Sequence, residues 1–211
     1  YYKNGNIKMT CQYKDDLLNG KAVFYFDNKN IEMQGTLVNG KKQGKWTYYY
    51  DTKELWREGE YSNGKREGIW STYYENGKLL HKGSYIDGKE VGVWESYFED
   101  GTLQMRGVFN EGKMNGKWEM FNNDGSHKTD VSYSNGLKNG TEILYDEKGD
   151  MYQKADYNDG VLNGRWEKYY NGKLVEKGSY KDGNKDGKWV FYDENGNELE
   201  RRSFENGKAL K

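Results

Sequence analysis

The 211-residue chain contains no proline and a single cysteine. Because proline cannot donate a hydrogen bond to a neighbouring strand, its absence suits a chain whose strands must all pair. One cysteine excludes an internal disulfide framework, although it does not identify the cellular compartment. The sequence also lacks an apolar run near the roughly 18 residues that a membrane-spanning helix requires. A disulfide-stapled scaffold is therefore excluded, and no transmembrane segment is predicted.

The sequence also lacks a block of charge of either sign. Its 33 basic and 34 acidic residues are interleaved and leave a net charge of −1. A nucleic-acid-binding domain normally carries a basic stripe, so the composition argues against a nucleic acid as partner. Aromatic residues are abundant instead, at 16% of the chain with 20 Tyr and 7 Trp. Each ring supplies a large area to bury, which compensates for scarce aliphatic residues.

A glycine recurs about every 24 residues and divides the chain into similar copies. Such a period is the signature of a repeat array, and only one deletion, before Gly172, interrupts it. Two positions after this glycine most copies have Trp, and three positions further on every copy has an aromatic residue. This segment predicts the first strand of each copy. The opening glycines are Gly20, Gly44, Gly68, Gly92, Gly116, Gly140, Gly164 and Gly187.

Each copy continues with a turn and a second strand. Dipeptides such as Asn76-Gly77 tolerate positive φ and join antiparallel strands. After the turn come an aliphatic residue, a glycine and an aromatic residue, as in Leu79, Gly83 and Tyr85. Their even offsets predict that all three lie on one face. A further glycine turn leads to the next copy, so each copy is predicted to form a β-hairpin.

The copies together predict one all-β domain over residues 1–211. It contains about eight 24-residue copies plus a partial N-terminal copy, and the unbroken period leaves no linker at which to divide it. Because each strand lies beside its neighbour in sequence, the predicted fold is an elongated, single-sheet antiparallel meander of β-hairpin repeats.

The second-strand glycine has a role that an internal comparison indicates. Copy six has Glu142 in place of Trp, and the strands on either side have Val131 and Ala155 in place of Gly. Near the N-terminus, Ala22 replaces Trp and Cys11 replaces the preceding Gly. Strand glycine is typical of sites where another group approaches the backbone closely. We therefore predict that each indole lies across the bare backbone of neighbouring strands.

The segment Tyr-Ser-Asn-Gly-Lys-Arg-Glu-Gly-Ile-Trp-Ser-Thr-Tyr-Tyr-Glu-Asn-Gly-Lys-Leu at residues 61–79 resembles the MORN-repeat variant of bacterial proteins called YwqK-type antitoxins. The resemblance covers essentially the whole chain. It implies an antiparallel repeat sheet without catalysis that acts as a scaffold or protein-binding module, and the antitoxin label implies a partner toxin. It also implies no catalytic or ligand residues, because none belongs to the motif. The missing Trp at positions 22 and 142 departs from the pattern.

Residues capable of catalysis or metal binding show no functional spacing. His81 and His127 lie in different copies, and neither forms a metal-ligand spacing with Cys11. The segment 182–187 has the acidic character of a calcium loop but lacks its closing Glu, so we interpret it as an ordinary turn. We predict no enzyme activity, no catalytic or metal-binding residue and no cofactor.

The face opposite the indoles is the candidate contact surface. The aromatic residue three positions after each Trp has an odd offset, so it points away from the indole layer unless a bulge intervenes. Parity places Trp56 and Leu80 on that side too. The sheet either twists enough to cover this row or leaves it exposed as an apolar contact surface. The predicted partner-binding residues are Tyr49, Trp56, Tyr73, Leu80 and Tyr97.

The first functional hypothesis is a non-enzymatic repeat scaffold that binds a protein partner, in an antitoxin-like way if that partner is a toxin. The alternative is a binder of membrane lipid headgroups or glycans, through the aromatic row or through turn lysines roughly 10 Å apart. Acidic neighbours such as Asp87 and Glu111 favour a solvated turn edge for those lysines. The lysines are Lys41, Lys65, Lys89 and Lys113.

The first residues bear on localisation. Tyr1 and Tyr2 occupy the slots of Tyr25 and Phe26, and the sequence lacks a starting Met. We therefore expect that an N-terminal portion, with or without a targeting signal, is missing from this sequence. Cytoplasmic and exported locations both remain open.

Overall fold

The computed structural model describes residues 1–210, and in that range it contains β-strands and no helix. Successive strands run antiparallel, as the hairpin pattern predicts. The strands are β1 Met9–Lys14, β2 Leu17–Tyr25, β3 Ile31–Val38, β4 Lys41–Tyr49, β5 Leu55–Ser62, β6 Lys65–Tyr73, β7 Leu79–Ile86, β8 Lys89–Tyr97, β9 Leu103–Asn110, β10 Lys113–Phe121, β11 His127–Ser134, β12 Leu137–Tyr145, β13 Met151–Asn158, β14 Val161–Tyr170, β15 Lys173–Lys181, β16 Asn184–Tyr192, β17 Glu198–Glu205 and β18 Lys208–Ala209.

All 18 strands belong to one antiparallel sheet. The all-β fold of hairpin repeats is therefore confirmed. The contacts group into two compact units, the first made of Tyr1–Leu103 with Phe109–Gly112, and the second of Gln104–Val108 with the chain from Lys113 onward. That the whole array acts as one domain stays a prediction.

Two kinds of turn connect the strands. The turns between copies are two-residue loops with positive φ at both residues, as at Asn63 (50°) and Gly64 (84°), which is the combination of a type I′ hairpin. The turns within a copy are longer, as in residues 50–54 between β4 and β5. The copy with the deletion instead has a two-residue loop at Asn171 and Gly172. The deletion thus exchanges one turn type for the other.

A β-bulge at the start of β5 changes the side of the sheet on which its side chains lie. Tyr48 lies opposite Arg57 while the next residue, Tyr49, lies opposite Leu55, so Trp56 is an extra residue in β5. Parity predicted Trp56 on the side of Tyr49. Its ring instead lies 6.4 Å from the ring of Tyr48. The parity prediction for Trp56 is wrong, because strict alternation does not continue through a bulge.

The core is a row of indoles, each seated on a glycine of the preceding strand. A Cβ built on Gly35 would lie 2.3 Å from Cδ2 of Trp46, so only glycine leaves room for this ring. Trp46 is fully buried, and its indole N–H donates to the carbonyl of Thr36 at 3.1 Å. The prediction that each indole lies on strand glycine is confirmed. The glycine belongs to the strand that precedes the Trp in sequence. The seated pairs are Gly35 and Trp46, Gly59 and Trp70, Gly83 and Trp94, Gly107 and Trp118, and Gly178 and Trp189.

Tyrosine rings fill the spaces between successive indoles. The Tyr61 ring is edge-on to both Trp46 (6.2 Å between centroids) and Trp70 (5.1 Å). Tyr85 bridges Trp70 and Trp94 in the same way, at 6.3 and 5.2 Å. Edge-to-face pairs of this kind contribute about 0.5–1.5 kcal/mol each beyond area burial. We call the side of the sheet that carries this ladder in each unit the indole side.

Trp166 is the tryptophan of the repeat that lacks a glycine seat. The slot beneath it holds Ala155, and Trp166 is only half-buried. Its ring stacks at 35° on Trp189, 5.3 Å away. None of the hydrogen bonds within residues 1–210 comes from its indole N–H, whereas each of the five seated indoles donates to the carbonyl ten residues earlier. The seat therefore fixes the position of the ring.

Candidate binding cleft

Three of the five predicted binding residues lie in the tyrosine row and are engaged through their hydroxyl groups. The hydroxyl of Tyr49 accepts from the side-chain amide of Gln34 (3.0 Å). Tyr73 donates to Glu58 (3.3 Å), and Tyr97 donates to Glu95 (2.9 Å). All three tyrosines are half-buried. The row is therefore a partly covered, hydrogen-bonded surface rather than a bare apolar ladder.

Trp56 lies away from this row, on the indole side. Its ring packs edge-on to Tyr48 and tilted against Tyr50, with centroids 6.4 and 6.2 Å apart. Leu80 occupies the same slot one copy later and is half-buried. A bulge like that of β5 interrupts the β6–β7 pairing beside it. The five predicted residues therefore do not share one surface.

A cleft of about 640 Å³ opens beside Trp56 in the first unit. It brings together two of the predicted residues, Tyr49 and Trp56, and leaves out Tyr73, Leu80 and Tyr97. We call it the first-unit cleft. Its lining residues are Phe26, Glu32, Met33, Lys42, Tyr48, Tyr49, Tyr50, Asp51, Trp56 and Arg57.

The guanidinium group of Arg57 is held between two aromatic rings of this cleft. Its Cζ lies 4.3 Å from the ring centroids of both Tyr48 and Trp56. Such cation–π contacts are worth about 0.5–2 kcal/mol each, depending on desolvation. The Nε atom of Arg57 is buried without a hydrogen-bond partner. Within residues 1–210 Arg57 forms no ion pair, and its guanidinium group contacts ring faces instead.

Two more cations lie close to Arg57. Nζ of Lys42 is 4.4 Å from the ring of Trp46 and donates to the hydroxyl of Tyr48 at 2.7 Å. Cζ of Arg66 lies 4.8 Å from the ring centroid of Trp70. Burial is the main cause that lowers the pKa of Lys42. The charges of Arg57 and Arg66 lower it further, whereas Tyr61 and the carboxylate of Glu32 act in the opposite direction.

The positive charge of Arg57 and Arg66 also affects the pKa of His81. Burial lowers the pKa of its imidazole, and the guanidinium groups of Arg66 and Arg57 lower it further. The hydroxyl of Tyr48, which accepts from Lys42, is also hydrogen bonded to the hydroxyl of Tyr61 at 2.9 Å. The first unit therefore has a rigid aromatic floor beneath closely spaced cations, an arrangement suited to a planar or anionic group of a ligand.

Comparison with known families now identifies the repeat. The model of the MORN repeat variant matches residues 1–15, 42–63, 66–87, 90–111, 162–182 and 185–206. The chain belongs to this family. No curated protein matches it. The matching solved structures include a porin-like protein from Bacteroides uniformis, 9% identical, with 96% of this chain and 91% of that chain covered. Its TM-score of 0.21 is too low to support an argument.

The unmatched residues 112–161 contain the least regular MORN copy, with Glu142 in the Trp slot. Glu142 lies in register between Val131 and Ala155 and is buried. Lys138 pairs with it at 2.5 Å. Burial, followed by the charge and hydrogen bond of Glu142, raises the pKa of Tyr157 to about 12. An ion pair thus replaces the indole where the glycine seat is lost.

A second cleft of the MORN array occupies the equivalent place in the second unit. Its volume is about 660 Å³, and it offers a matched comparison because six of its eight lining residues lie four 24-residue copies after lining residues of the first-unit cleft. Tyr152 takes the slot of Trp56, and Gln153 takes that of Arg57. We call it the second-unit cleft. Its lining residues are Asn122, Asn123, Asp124, Lys128, Tyr145, Asp146, Glu147 and Tyr152.

A cluster of charged residues in the second unit has the composition of a metal site. Ligand atoms of Glu119, His127 and Asp130 lie within 4.8 Å of one another. Both carboxylates already have cationic partners, since Lys117 lies 2.9 Å from Glu119 and 3.1 Å from Asp130, and Arg106 also pairs with Glu119. A divalent ion would have to displace these cations, so we interpret the cluster as an ion-pair network. Sequence spacing gave no signal for it, because the members meet across strands.

Two of the four turn lysines of the MORN repeats, Lys65 and Lys89, have acidic partners. Nζ of Lys65 lies 2.7 Å from Asp87, and Nζ of Lys89 lies 3.7 Å from Glu111. These pairs are exposed and link one inter-copy turn to the next. Within residues 1–210 no helix is long and apolar enough to cross a membrane. The other two turn lysines, Lys41 and Lys113, form no ion pair within residues 1–210, so the turn row carries both paired and unpaired lysines.

Proposed function

We propose that this MORN-repeat protein is a non-enzymatic scaffold that binds a protein partner through the first-unit cleft. The observation that carries the proposal is the position of Arg57 between Tyr48 and Trp56, without an ion-pair partner in residues 1–210. Aromatic and arginine side chains in a desolvated pocket are the residues that dominate the energy of protein–protein interfaces.

Two further features support a binding role. The aromatic floor is rigid, because the Trp46 indole is fully buried and hydrogen bonded to the strand beneath it. A rigid floor lowers the ordering cost of association. The repeat itself explains most glycine and aromatic positions structurally, and Trp56 and Arg57 vary from copy to copy. Variable residues on a regular scaffold are where we expect specificity.

The proposal is tested by capture from native lysate with wild-type protein, Trp56→Ala and the matched control Tyr152→Ala, all shown to fold by circular dichroism. Mass spectrometry should find a protein that the wild type and the control retain and that Trp56→Ala loses. A partner toxin would be the antitoxin-like case. Equal retention by Trp56→Ala would contradict the proposal, and binding only to anionic vesicles or glycans would favour the alternative class of ligand.

A further inference from the structure

We propose that the first-unit cleft selects an acidic segment of its protein partner and that Arg57 receives a carboxylate of that segment. This inference rests on the proposed function and specifies the chemistry of the occupant. The juxtaposition that carries it is a trio of cations over an aromatic floor, Lys42 and Arg57 in the lining of the cleft and Arg66 beside it, none of which forms an ion pair within residues 1–210.

The N–H donors of Arg57 are free to bind a carboxylate of a ligand. A guanidinium group has five N–H donors in a planar fork that fits a carboxylate with two parallel hydrogen bonds. None of these donors makes a hydrogen bond within residues 1–210, and Nε is buried. The two rings fix the plane of the fork, so little freedom is lost when a ligand binds. Arg57 is therefore a preorganised hydrogen-bond donor for a carboxylate.

Lys42, Arg57 and Arg66 form no ion pair within residues 1–210, and in this respect Lys42 and Arg66 differ from the equivalent cations of other copies. Cations in the same repeat slots elsewhere do have carboxylate partners, since Lys138 pairs with Glu142 at 2.5 Å and Lys185 with Glu176 at 3.0 Å. Lys42 and Arg66, which occupy that slot in the first unit, donate only to tyrosine hydroxyls or a thioether. Like charges held together in this way repel, and an anion between them relieves the repulsion.

The lining of the cleft favours a protein carboxylate over a phosphate-rich ligand. Glu32 and Asp51 also line it, and they would repel a ligand that carries several negative charges in one place. Phe26, Tyr50 and Trp56 offer aromatic area for apolar side chains beside the acid. A segment with single acidic residues between apolar ones satisfies both conditions.

The inference is tested by selecting peptides from a random 12-residue phage library on the wild-type protein. The selected pool should be enriched in Asp and Glu. A selected peptide should bind about tenfold or more weakly when its acids are changed to amides, and similarly weakly to Arg57→Gln, as expected for a lost charge-assisted hydrogen bond. Gln153→Ala, the matched change in the same repeat slot of the second unit, should leave its affinity unchanged.

The outcomes separate the two proposals. Some selected peptides could need Trp56 and yet bind equally well after their acids are changed to amides, or equally well to Arg57→Gln. Either result would overturn the proposal of an acidic occupant, but the proposal of a binding scaffold would stand. Failure to select any peptide whose binding is lost in Trp56→Ala would overturn both. Trp56-dependent binding of phosphatidylserine vesicles, without such peptides, would also overturn both and assign the cleft to a membrane surface.

Discussion

The first-unit copies and the stretch from β11 to β14 follow one repeat but pack it differently. In the first unit, Trp46 lies on Gly35 and is fully buried. In the second, Ala155 takes the glycine slot and leaves Trp166 half-buried, beside a copy in which Glu142 replaces the indole. The seated indoles also donate to the carbonyl ten residues earlier, which Trp166 does not do within residues 1–210, so a single methyl group in the seat is enough to change how the ring is held. The glycine slot, more than the tryptophan itself, determines whether a copy is regular.

The same contrast extends to the two clefts. The first-unit cleft has Trp56 and Arg57 in its lining and cations that form no ion pair within residues 1–210. In the second unit the same slots hold Tyr152 and Gln153, and Lys138, in the slot of Lys42, pairs with Glu142. Equivalent backbone positions therefore hold different chemistry. We infer that the scaffold sets where a cleft forms, and that copy-specific side chains set what it binds.

The largest effect on this contrast should come from removing an indole. Trp46→Ala should destabilise the protein by about 3–5 kcal/mol, because a buried ring is lost and a cavity remains. Trp166→Ala should cost about half as much or less, since the ring is half-buried and unseated. Urea unfolding followed by circular dichroism measures both. Equal losses would show that the glycine seat does not control burial energy.

The next largest effect on stability should come from changing the residue on which the indole lies. Gly35→Ala places a Cβ 2.3 Å from the Trp46 ring and should cost about 1–3 kcal/mol as overpacking. The reverse change, Ala155→Gly, should cost less than about 1 kcal/mol, the usual penalty for strand glycine, because Trp166 can then settle and donate to the Asp156 carbonyl. A blue shift of tryptophan fluorescence in Ala155→Gly would report the settled ring, and an unchanged spectrum would contradict this.

The smallest expected effect concerns the ion pairs of Glu119 in the second unit. Hydrogen bonds from Arg106 and Lys117 lower the pKa of Glu119 to about 2, below its unfolded value. This carboxylate therefore stabilises the fold above about pH 4.5, and the contribution is lost as the pH falls toward 2. Melting temperatures of wild type and Glu119→Gln should differ at pH 6 and converge by pH 2. Glu58→Gln, whose ion-pair partner Lys45 is exposed, is the control and should change less.

Much of the fold follows from periodicity alone. Glycine turns, aromatic spacing and the coincident loss of Trp and Gly at Glu142 and Val131 predict hairpins and the indole seat, because these depend on local geometry repeated in every copy. Periodicity could not show that the seat belongs to the preceding strand. That detail depends on how the ring crosses the sheet.

The candidate site was predictable only in part. Trp56 was singled out because it departs from the repeat, but the bulge that turns it to the indole side leaves no sequence signal. Arg57 was missed, since its neighbours Tyr48 and Lys42 approach it only after β4 and β5 pair. A comparison of each repeat slot across copies would have found it, because Gln153 and His81 stand in the same slot.

The central claim is that binding is confined to the first-unit cleft, and hydrogen–deuterium exchange tests it most directly. Wild-type protein would be measured with and without a saturating acidic peptide selected on it. The account predicts slower amide exchange in β3 to β5, residues 31–62, and no change in β11 to β13, residues 127–158. Protection of residues 127–158, or equal protection of both stretches, would contradict it.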